Sequence, residues 1–281
     1  TDEDLDNKDS KKELENNRVY KLVDTCSAEF ESKTPYLYST NGTSNDDTAT
    51  KQKKVVVIGS GPNRIGQGIE FDYCCVHGVS SLKENGYEAI MINSNPETVS
   101  TDYDTADKLY FEPLSWNEVK SVLDREKPDS VIIQLGGQTP LKLAKEIHNA
   151  GFNIAGSSLD VIDSTEDRDL FQKLCTSQDI KQPISKIANN ETELVESVRE
   201  IGFPVLLRPS YVLGGRAMRV VQTDEELNNY LNTLASADED GNPFKSGPLL
   251  VDQFLTETVE IDVDLISDGK DVFIAGILEH L

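Results

Sequence analysis

Short apolar runs alternate with amphipathic stretches between residues 53 and 163. Runs rich in Val and Ile are typical of buried strands, and apolar residues at helical spacing predict the helices between them. Strands are expected at 55–58, 89–93, 108–111, 130–134 and 154–156, and helices at 68–85, 115–126 and 140–150. Because strands and helices alternate, this region is expected to form a parallel sheet with crossover helices, an α/β fold.

The pattern changes at Ser164. Asp268 and Gly269 separate the last two apolar runs and predict a hairpin turn. Consecutive strands joined by a tight turn favour antiparallel pairing, so residues 164–281 are expected to form a separate α+β domain. Its expected helices are 166–175, 191–201 and 224–234, and its expected strands are 205–208, 217–221, 249–254, 260–267 and 271–278.

The first 52 residues differ from both of these regions. Residues 1–17 are nearly all polar and predict a disordered lead-in or a solvated helix. Residues 18–40 carry enough apolar and aromatic side chains that we expect them to pack on other parts of the protein. Residues 41–52 are polar and low in complexity, which is typical of a linker. The predicted regions are therefore 1–52, 53–163 and 164–281.

The chain has 281 residues, of which 37% are hydrophobic, and a formal net charge of −23. This charge argues against nucleic-acid binding, which depends on Lys and Arg. No apolar run approaches the roughly 18 residues that a membrane span needs. The four cysteines have neither metal-site nor disulfide-framework spacing, which favours a reducing compartment. Cys74 and Cys75 are expected to be buried small hydrophobes rather than a redox pair.

The first candidate site is the glycine-rich loop at 59–68, which follows a strand and precedes a helix. Glycines there allow a ligand to approach the backbone, and a helix N-terminus favours an anion. Dinucleotide binding is disfavoured, because the spacing is G-x-G-x-x-x-x-G-x-G and no acidic residue ends the second strand. A tight structural turn and part of a substrate site remain as interpretations.

The second candidate site runs from Arg208 to Arg216. Arg208 ends a strand, where its fixed fork of donors can hold phosphate oxygens. Gly214 and Gly215 can bring backbone N–H groups over a triphosphate as a lid, although the lysine of a Walker A loop is missing. A surface hairpin that binds no ligand explains the same residues.

The third candidate site lies along the last strands. Gln253 and Leu255 flank the end of one strand, where backbone groups can read the edge of an adenine. Glu260, Asp262 and Asp264 alternate and therefore share one face of the next strand. Three carboxylates on one face require a cation, basic partners or solvent, and a solvated face is favoured over a metal site.

Taken together, these segments resemble the large subunit of carbamoyl phosphate synthetase over residues 54–281. The large subunit of this family has two similar halves, of which the first phosphorylates bicarbonate and the second carbamate. Residues 20–30 resemble the end of the helical, oligomerisation-type domain that precedes the second half. The segments that carry the resemblance are 59–77, 95–104, 136–141, 166–168 and 208–218, and those typical of the second half are 62–65, 74–77 and 216–218.

The resemblance implies a Rossmann-like pre-ATP-grasp domain with a parallel sheet, followed by an incomplete α+β ATP-grasp domain. It implies that Arg168 and Arg208 contact the phosphates of ATP and act in catalysis. Gly214 and Gly215 would form the lid over those phosphates. The implied cofactors are ATP and Mg²⁺ or Mn²⁺.

The same resemblance assigns the last strands to the nucleoside. Gln253 and Leu255 would border the adenine, and Glu260 would hold the ribose hydroxyls. Asp262 and Asp264 are then structural residues rather than metal ligands. In the family the metal ligands lie beyond the position of Leu281, so the 281-residue chain is expected to lack synthetase activity alone.

The implied reaction is attack of a carbamate oxygen on the γ-phosphorus of ATP, giving carbamoyl phosphate for pyrimidine or arginine biosynthesis. The implied partners are ATP, carbamate or bicarbonate, a glutamine amidotransferase subunit or domain and the rest of the large subunit, without nucleic acid or membrane. The expected compartment is the cytoplasm, with mitochondria as the alternative. Other hypotheses are an ATP-grasp ligase such as biotin carboxylase, a dinucleotide-dependent oxidoreductase and a non-catalytic assembly fragment.

Overall fold

The structure is a computed structural model that describes residues 18–26, 29, 34–63, 68–209, 218–236, 244 and 247–280. Contacts divide the chain into two units, Thr1–Ser177 and Gln178–Leu281. The sequence predicts a boundary at 163/164 instead. The difference arises because the helix Arg168–Ser177 packs against the helix Leu159–Glu166 of the first unit.

A six-stranded sheet forms the centre of the first unit, in the order β1-β2-β5-β4-β3-β6. The strands β2 to β6 are mutually parallel where they pair, and β1 pairs antiparallel with β2 at one edge. This largely parallel sheet confirms the α/β prediction. Its strands are β1 Arg18–Leu22, β2 Tyr36–Asn41, β3 Lys54–Ile58, β4 Glu88–Asn93, β5 Lys108–Phe111 and β6 Ser130–Ile132.

Helices cover the two faces of this sheet, because successive side chains of each strand point to opposite sides. Val57 belongs to the core under α1, whereas Val56 and Ile58 pack with α2, α4 and α5. The expected helix at 140–150 is divided into α3 and α4, and α5 was not predicted. The helices are α1 Glu70–Glu84, α2 Trp116–Glu126, α3 Gln138–Leu141, α4 Ala144–Asn149, α5 Leu159–Glu166 and α6 Arg168–Ser177.

The two adjacent cysteines of α1 have different surroundings. Cys75 is fully buried, as predicted, and burial raises the pKa of its thiol to about 12. Cys74 is exposed, so the prediction of burial is wrong for this residue. Neighbouring positions on a helix are about 100° apart, so only one of the two side chains can face the sheet.

The segment before β3 is attached to the sheet. Residues 18–40 pack on the protein as predicted, with Tyr20 and Leu37 almost completely buried. The described part of 20–30 starts within strand β1, whereas the resemblance places it at the end of a helical domain. The predicted linker is also bound in place, because Asn45 Oδ1 accepts a hydrogen bond from the Tyr20 amide at 2.7 Å and Asp46 pairs with Lys21 at 2.6 Å.

A buried network of charges lies where β3, β4 and β5 begin. The Lys54 and Lys108 ammonium groups lie 2.9 and 3.2 Å from the two oxygens of Glu126, the last residue of α2. The Tyr110 hydroxyl donates to the same carboxylate. Glu88 lies 3.7 Å from both lysines, and Asp47 lies 2.7 Å from Lys108. The network therefore ties the first residues of three strands to the end of one helix.

The second unit contains a four-stranded antiparallel sheet in the order β7-β10-β8-β9. Side chains of both its helices form a core with this sheet, including Leu194 and Leu227. Strand β7 was not predicted, because only its last residue, Ala188, is buried. The elements are β7 Ser185–Ala188, α7 Glu191–Ile201, β8 Val205–Pro209, β9 Arg219–Val221, α8 Asp224–Ser236 and β10 Leu249–Gln253.

The last two strands form a separate hairpin, β11 Ile261–Ser267 and β12 Val272–Glu279. The predicted turn is confirmed. Asp268 Oδ1 accepts hydrogen bonds from the amides of Lys270 and Asp271 at 2.9 and 2.8 Å, and Gly269 has a φ of +88°. Positive φ favours glycine, which fixes the position of this turn in the sequence.

Candidate functional site

Arg208 and Asp252 form an ion pair between neighbouring strands of the second unit. The Arg208 Nε and Nη2 atoms donate to Asp252 Oδ2 at 3.1 and 2.7 Å. The other carboxylate oxygen of Asp252 accepts a hydrogen bond from the Ser185 hydroxyl at 2.5 Å. The Asp252 side chain is 14% exposed and that of Arg208 is 40% exposed. The carboxylate is thus fixed from two sides, while part of the guanidinium faces solvent.

Strand register explains why these side chains meet. Arg208 pairs with Leu250, so Arg208 lies on the same sheet face as Asp252, two residues further along β10. Diagonal neighbours of this kind are within reach of long side chains. Ser185 pairs directly with Asp252 on the other side of β10. A held guanidinium with donors left toward solvent can bind an anionic oxygen, so the geometry suits the predicted phosphate contact.

The end of β10 contains the two residues predicted to border an adenine. The Gln253 amide donates to the Ile184 carbonyl at 2.7 Å, and the Gln253 side-chain oxygen accepts from the Ile184 amide at 3.3 Å. Leu255 follows the strand and is 49% exposed. Gln253 therefore fixes the entry to β7, and Leu255 presents an apolar side chain to solvent next to it.

Glu260 and Asp262 lie at the open end of the hairpin. The Glu260 carbonyl accepts a hydrogen bond from the His280 amide at 3.0 Å. His280 Nε2 lies 2.7 Å from Asp262 Oδ2, and this hydrogen bond, with the negative charges of Asp262 and Glu260, raises the pKa of His280. Asp262 thus has a basic partner, His280.

The remaining predicted site residues are only partly described. Arg168 begins α6, and its side chain is outside the described part of the chain. Gly214 and Gly215 lie in 210–217, which is also outside it. Asp252 was not assigned a role from the sequence. Within the described residues, no group of three or more His, Cys, Asp and Glu side chains is arranged to hold a metal ion.

The glycine-rich loop of the first unit packs closely on the end of β4. The Gly61 amide donates to Asn93 Oδ1 at 3.1 Å, and Asn93 Nδ2 donates to Ser100 at 3.1 Å. A Cβ atom at Gly59 would lie 2.6 Å from the Asn93 side chain, so this position has no room for a larger residue. These contacts give the described part of the loop, 59–63, a structural function.

Two family models match consecutive parts of the chain. The carbamoyl phosphate synthase preATP-grasp domain matches residues 51–164, and the ATP binding domain of the carbamoyl-phosphate synthase L chain matches residues 167–277. The chain belongs to the carbamoyl phosphate synthase large-chain family. It is 53% identical over 263 residues to the large chain of Archaeoglobus fulgidus and 52% identical to that of Neisseria meningitidis serogroup B.

The chain spans about a quarter of the length of these curated large chains, since each match covers 94% of this chain and 24% of the relative. Solved structures of a synthetase and of a carboxylase domain share the fold. An ADP complex of N5-carboxyaminoimidazole ribonucleotide synthetase has a TM-score of 0.60 at 12% identity, covering 82% of this chain and 54% of that one.

A second solved structure is the biotin carboxylase domain of 2-oxoglutarate carboxylase from Hydrogenobacter thermophilus, in complex with MgADP, ADP and bicarbonate. Its TM-score is 0.59 at 21% identity, over 82% of this chain and 51% of that one. These likenesses confirm the pre-ATP-grasp and ATP-grasp folds.

Among the described residues, no helix is long and apolar enough to cross a membrane.

Proposed function

We propose that this chain is part of an enzyme that phosphorylates carbamate with ATP, giving carbamoyl phosphate and ADP. The observation that carries the proposal is the held guanidinium of Arg208 in a carbamoyl phosphate synthase ATP binding domain. The carbamate assignment also draws on the sequence segments that resemble the second half of the large subunit.

In this mechanism Arg208 binds a phosphate oxygen of ATP and neutralises charge that develops during transfer. Phosphoryl transfer depends mainly on positioning and on such electrostatic stabilisation. Asp252 and Ser185 orient the guanidinium before the nucleotide arrives, so little reorganisation is needed. Arg168, Gly214 and Gly215 are proposed to complete the phosphate contacts.

The nucleoside is proposed to lie along the end of β10. Leu255 contributes apolar surface to one side of the adenine, and backbone groups next to Gln253 read its edge. Glu260 precedes β11, and its carboxylate is suited to two hydroxyl donors of a ribose. Mg²⁺, when bound, would reduce the negative charge of the phosphates; we propose no ligand for it among the described residues.

The proposed partners follow from the reaction and from the size of the relatives. Carbamate requires a source of nitrogen and bicarbonate. We therefore propose that this segment acts with a glutamine amidotransferase subunit or domain and with the rest of a large chain. Carbamoyl phosphate is proposed to supply pyrimidine or arginine synthesis in the cytoplasm.

Calorimetric titration of the chain with MgATP and with NADH tests the proposed cofactor. We expect saturable binding of MgATP and no competition by NADH, because the phosphate contacts belong to the second unit and the loop at 59–63 is occupied by Asn93. Binding of NADH that excludes MgATP, or a folded protein that binds neither nucleotide, would contradict the proposal.

A further inference from the structure

Strand β1 forms one edge of the six-stranded sheet and pairs on its inner side with β2. Just after β1, the Val23 amide donates to the Tyr36 carbonyl of β2 at 3.0 Å. Backbone groups of successive residues in a strand point alternately to its two sides, so those of Tyr20 and Leu22 point away from the sheet. Outward groups on an edge strand are a template for pairing with another chain.

Residues 42–50, which we call the strap, lie across this edge. Asn45 Oδ1 accepts a hydrogen bond from the Tyr20 amide at 2.7 Å, and the Asp46 amide donates to the Tyr20 carbonyl at 3.0 Å. Asp46 Oδ2 accepts from the Leu22 amide at 3.3 Å. Two of these three bonds go to side-chain oxygens, so the strap satisfies the edge without adding a strand that would present a new edge.

The strap is fixed at both ends. A Cβ atom at Gly42 would lie 2.8 Å from Val19 Cγ2, so the chain passes over β1 more closely here than a larger residue would allow. Further along, Asp47 lies 2.7 Å from the Lys108 ammonium group of the buried network, which also donates to the Thr48 carbonyl at 3.3 Å. Because it is held in place within the same chain, the strap meets β1 at a high effective concentration.

We propose that the strap keeps β1 from pairing with β1 of a second copy of this chain. Two identical edges pair antiparallel about a twofold axis, since each then presents the same groups to the other. Such pairing would use the outward backbone groups of Tyr20 and Leu22, which the strap already occupies. The contact within one chain and the contact between two chains therefore exclude each other, and releasing the strap should promote self-association.

The test compares self-association constants from sedimentation velocity over a concentration series of the 281-residue chain. Asn45→Ala with Asp46→Ala, the release variant, removes both side-chain acceptors from the edge. We expect it to self-associate at least about tenfold more tightly than wild type, because the lost hydrogen bonds no longer compete with pairing between chains. Asn45→Ala alone should give an intermediate increase. Association through other surfaces is common to all variants and cancels in the comparison.

Two further variants show whether the effect arises at this edge. The exchange Asn45→Asp with Asp46→Asn keeps a side-chain oxygen at both positions and the same net charge, so it should associate as wild type does. Adding Leu22→Pro to the release variant removes an outward N–H that strand pairing would use. We expect this addition to return self-association to the wild-type level.

Asn117→Ala with Asp124→Ala is the matched control. Both residues are exposed on α2, and Asp124 pairs with Lys120 as Asp46 pairs with Lys21. This control should leave self-association unchanged. Unchanged association in the release variant, an equal increase in the exchange or control variant, or an increase that Leu22→Pro does not remove would overturn the proposal. None of these results depends on nucleotide binding.

Discussion

Glu126→Gln is expected to lower the free energy of unfolding by about 3–5 kcal/mol, because it removes one partner from a buried ion network. Glu126 is 2% exposed, and Lys54 and Lys108 are 3% and 8% exposed. The glutamine would leave the two ammonium groups with Glu88 and Asp47 as their remaining anionic partners. Urea denaturation followed by circular dichroism measures the change.

The same carboxylate makes stability depend on pH. Burial raises the pKa of Glu126, but hydrogen bonds from Tyr110 and Lys54 and the charge of Lys108 outweigh this and lower it overall. A lowered folded-state pKa stabilises the protein above the unfolded-state pKa of about 4.3, and this stabilisation is lost as pH falls through the folded-state value. Wild type should therefore lose more stability in acid than Glu126→Gln.

Asp124→Asn is the matched control for this prediction. Asp124 lies on the same helix and pairs with Lys120 four residues away, and both side chains are largely exposed. Exposed pairs of this kind contribute about 0.3–0.5 kcal/mol. Similar losses in Glu126→Gln and Asp124→Asn would contradict a stabilising function of the buried network.

Arg208→Ala is expected to weaken MgATP binding about 10- to 100-fold, since a hydrogen bond to a charged group contributes about 1.5–3 kcal/mol. Arg208→Lys should give an intermediate affinity, because it keeps the charge and loses the planar fork. Calorimetric dissociation constants measure both effects.

Arg199→Ala provides the control, since Arg199 is an exposed residue in the last turn of α7. It should bind MgATP as wild type does. If Arg208→Ala binds MgATP as tightly as Arg199→Ala, the guanidinium does not contact the nucleotide and its only function is the ion pair with Asp252.

The sequence was sufficient to predict most strands, because buried parallel strands are continuous apolar runs. It was not sufficient to assign two of the charged residues with which these strands begin. Lys54 and Glu88 were left outside the predicted strands at 55–58 and 89–93, since a charged residue beside an apolar run ordinarily marks its solvated end. Glu126, the partner of Lys54, is 72 residues away along the chain, and only the fold brings the two together.

The candidate site shows the same limit. Arg208 was identified because an arginine at a strand end next to glycines is typical of phosphate binding. The pairing of Arg208 with Asp252 depends on the register between β8 and β10, which no local pattern specifies. An acidic residue within the apolar run at 249–254 was the one available signal. Strand β7, which positions Ser185 beside Asp252, has too few buried side chains to be predicted.

The carbamate assignment is tested most directly in a large chain of Neisseria meningitidis in which the matching segment is replaced by this sequence. By microscopic reversibility, an enzyme that phosphorylates carbamate forms ATP from ADP and carbamoyl phosphate. We predict that the hybrid forms ATP in this way and that Arg208→Ala slows the reaction at least about a hundredfold while bicarbonate-dependent ATP hydrolysis continues. Loss of bicarbonate-dependent ATP hydrolysis in the Arg208→Ala hybrid, with unchanged formation of ATP from ADP and carbamoyl phosphate, would contradict the account.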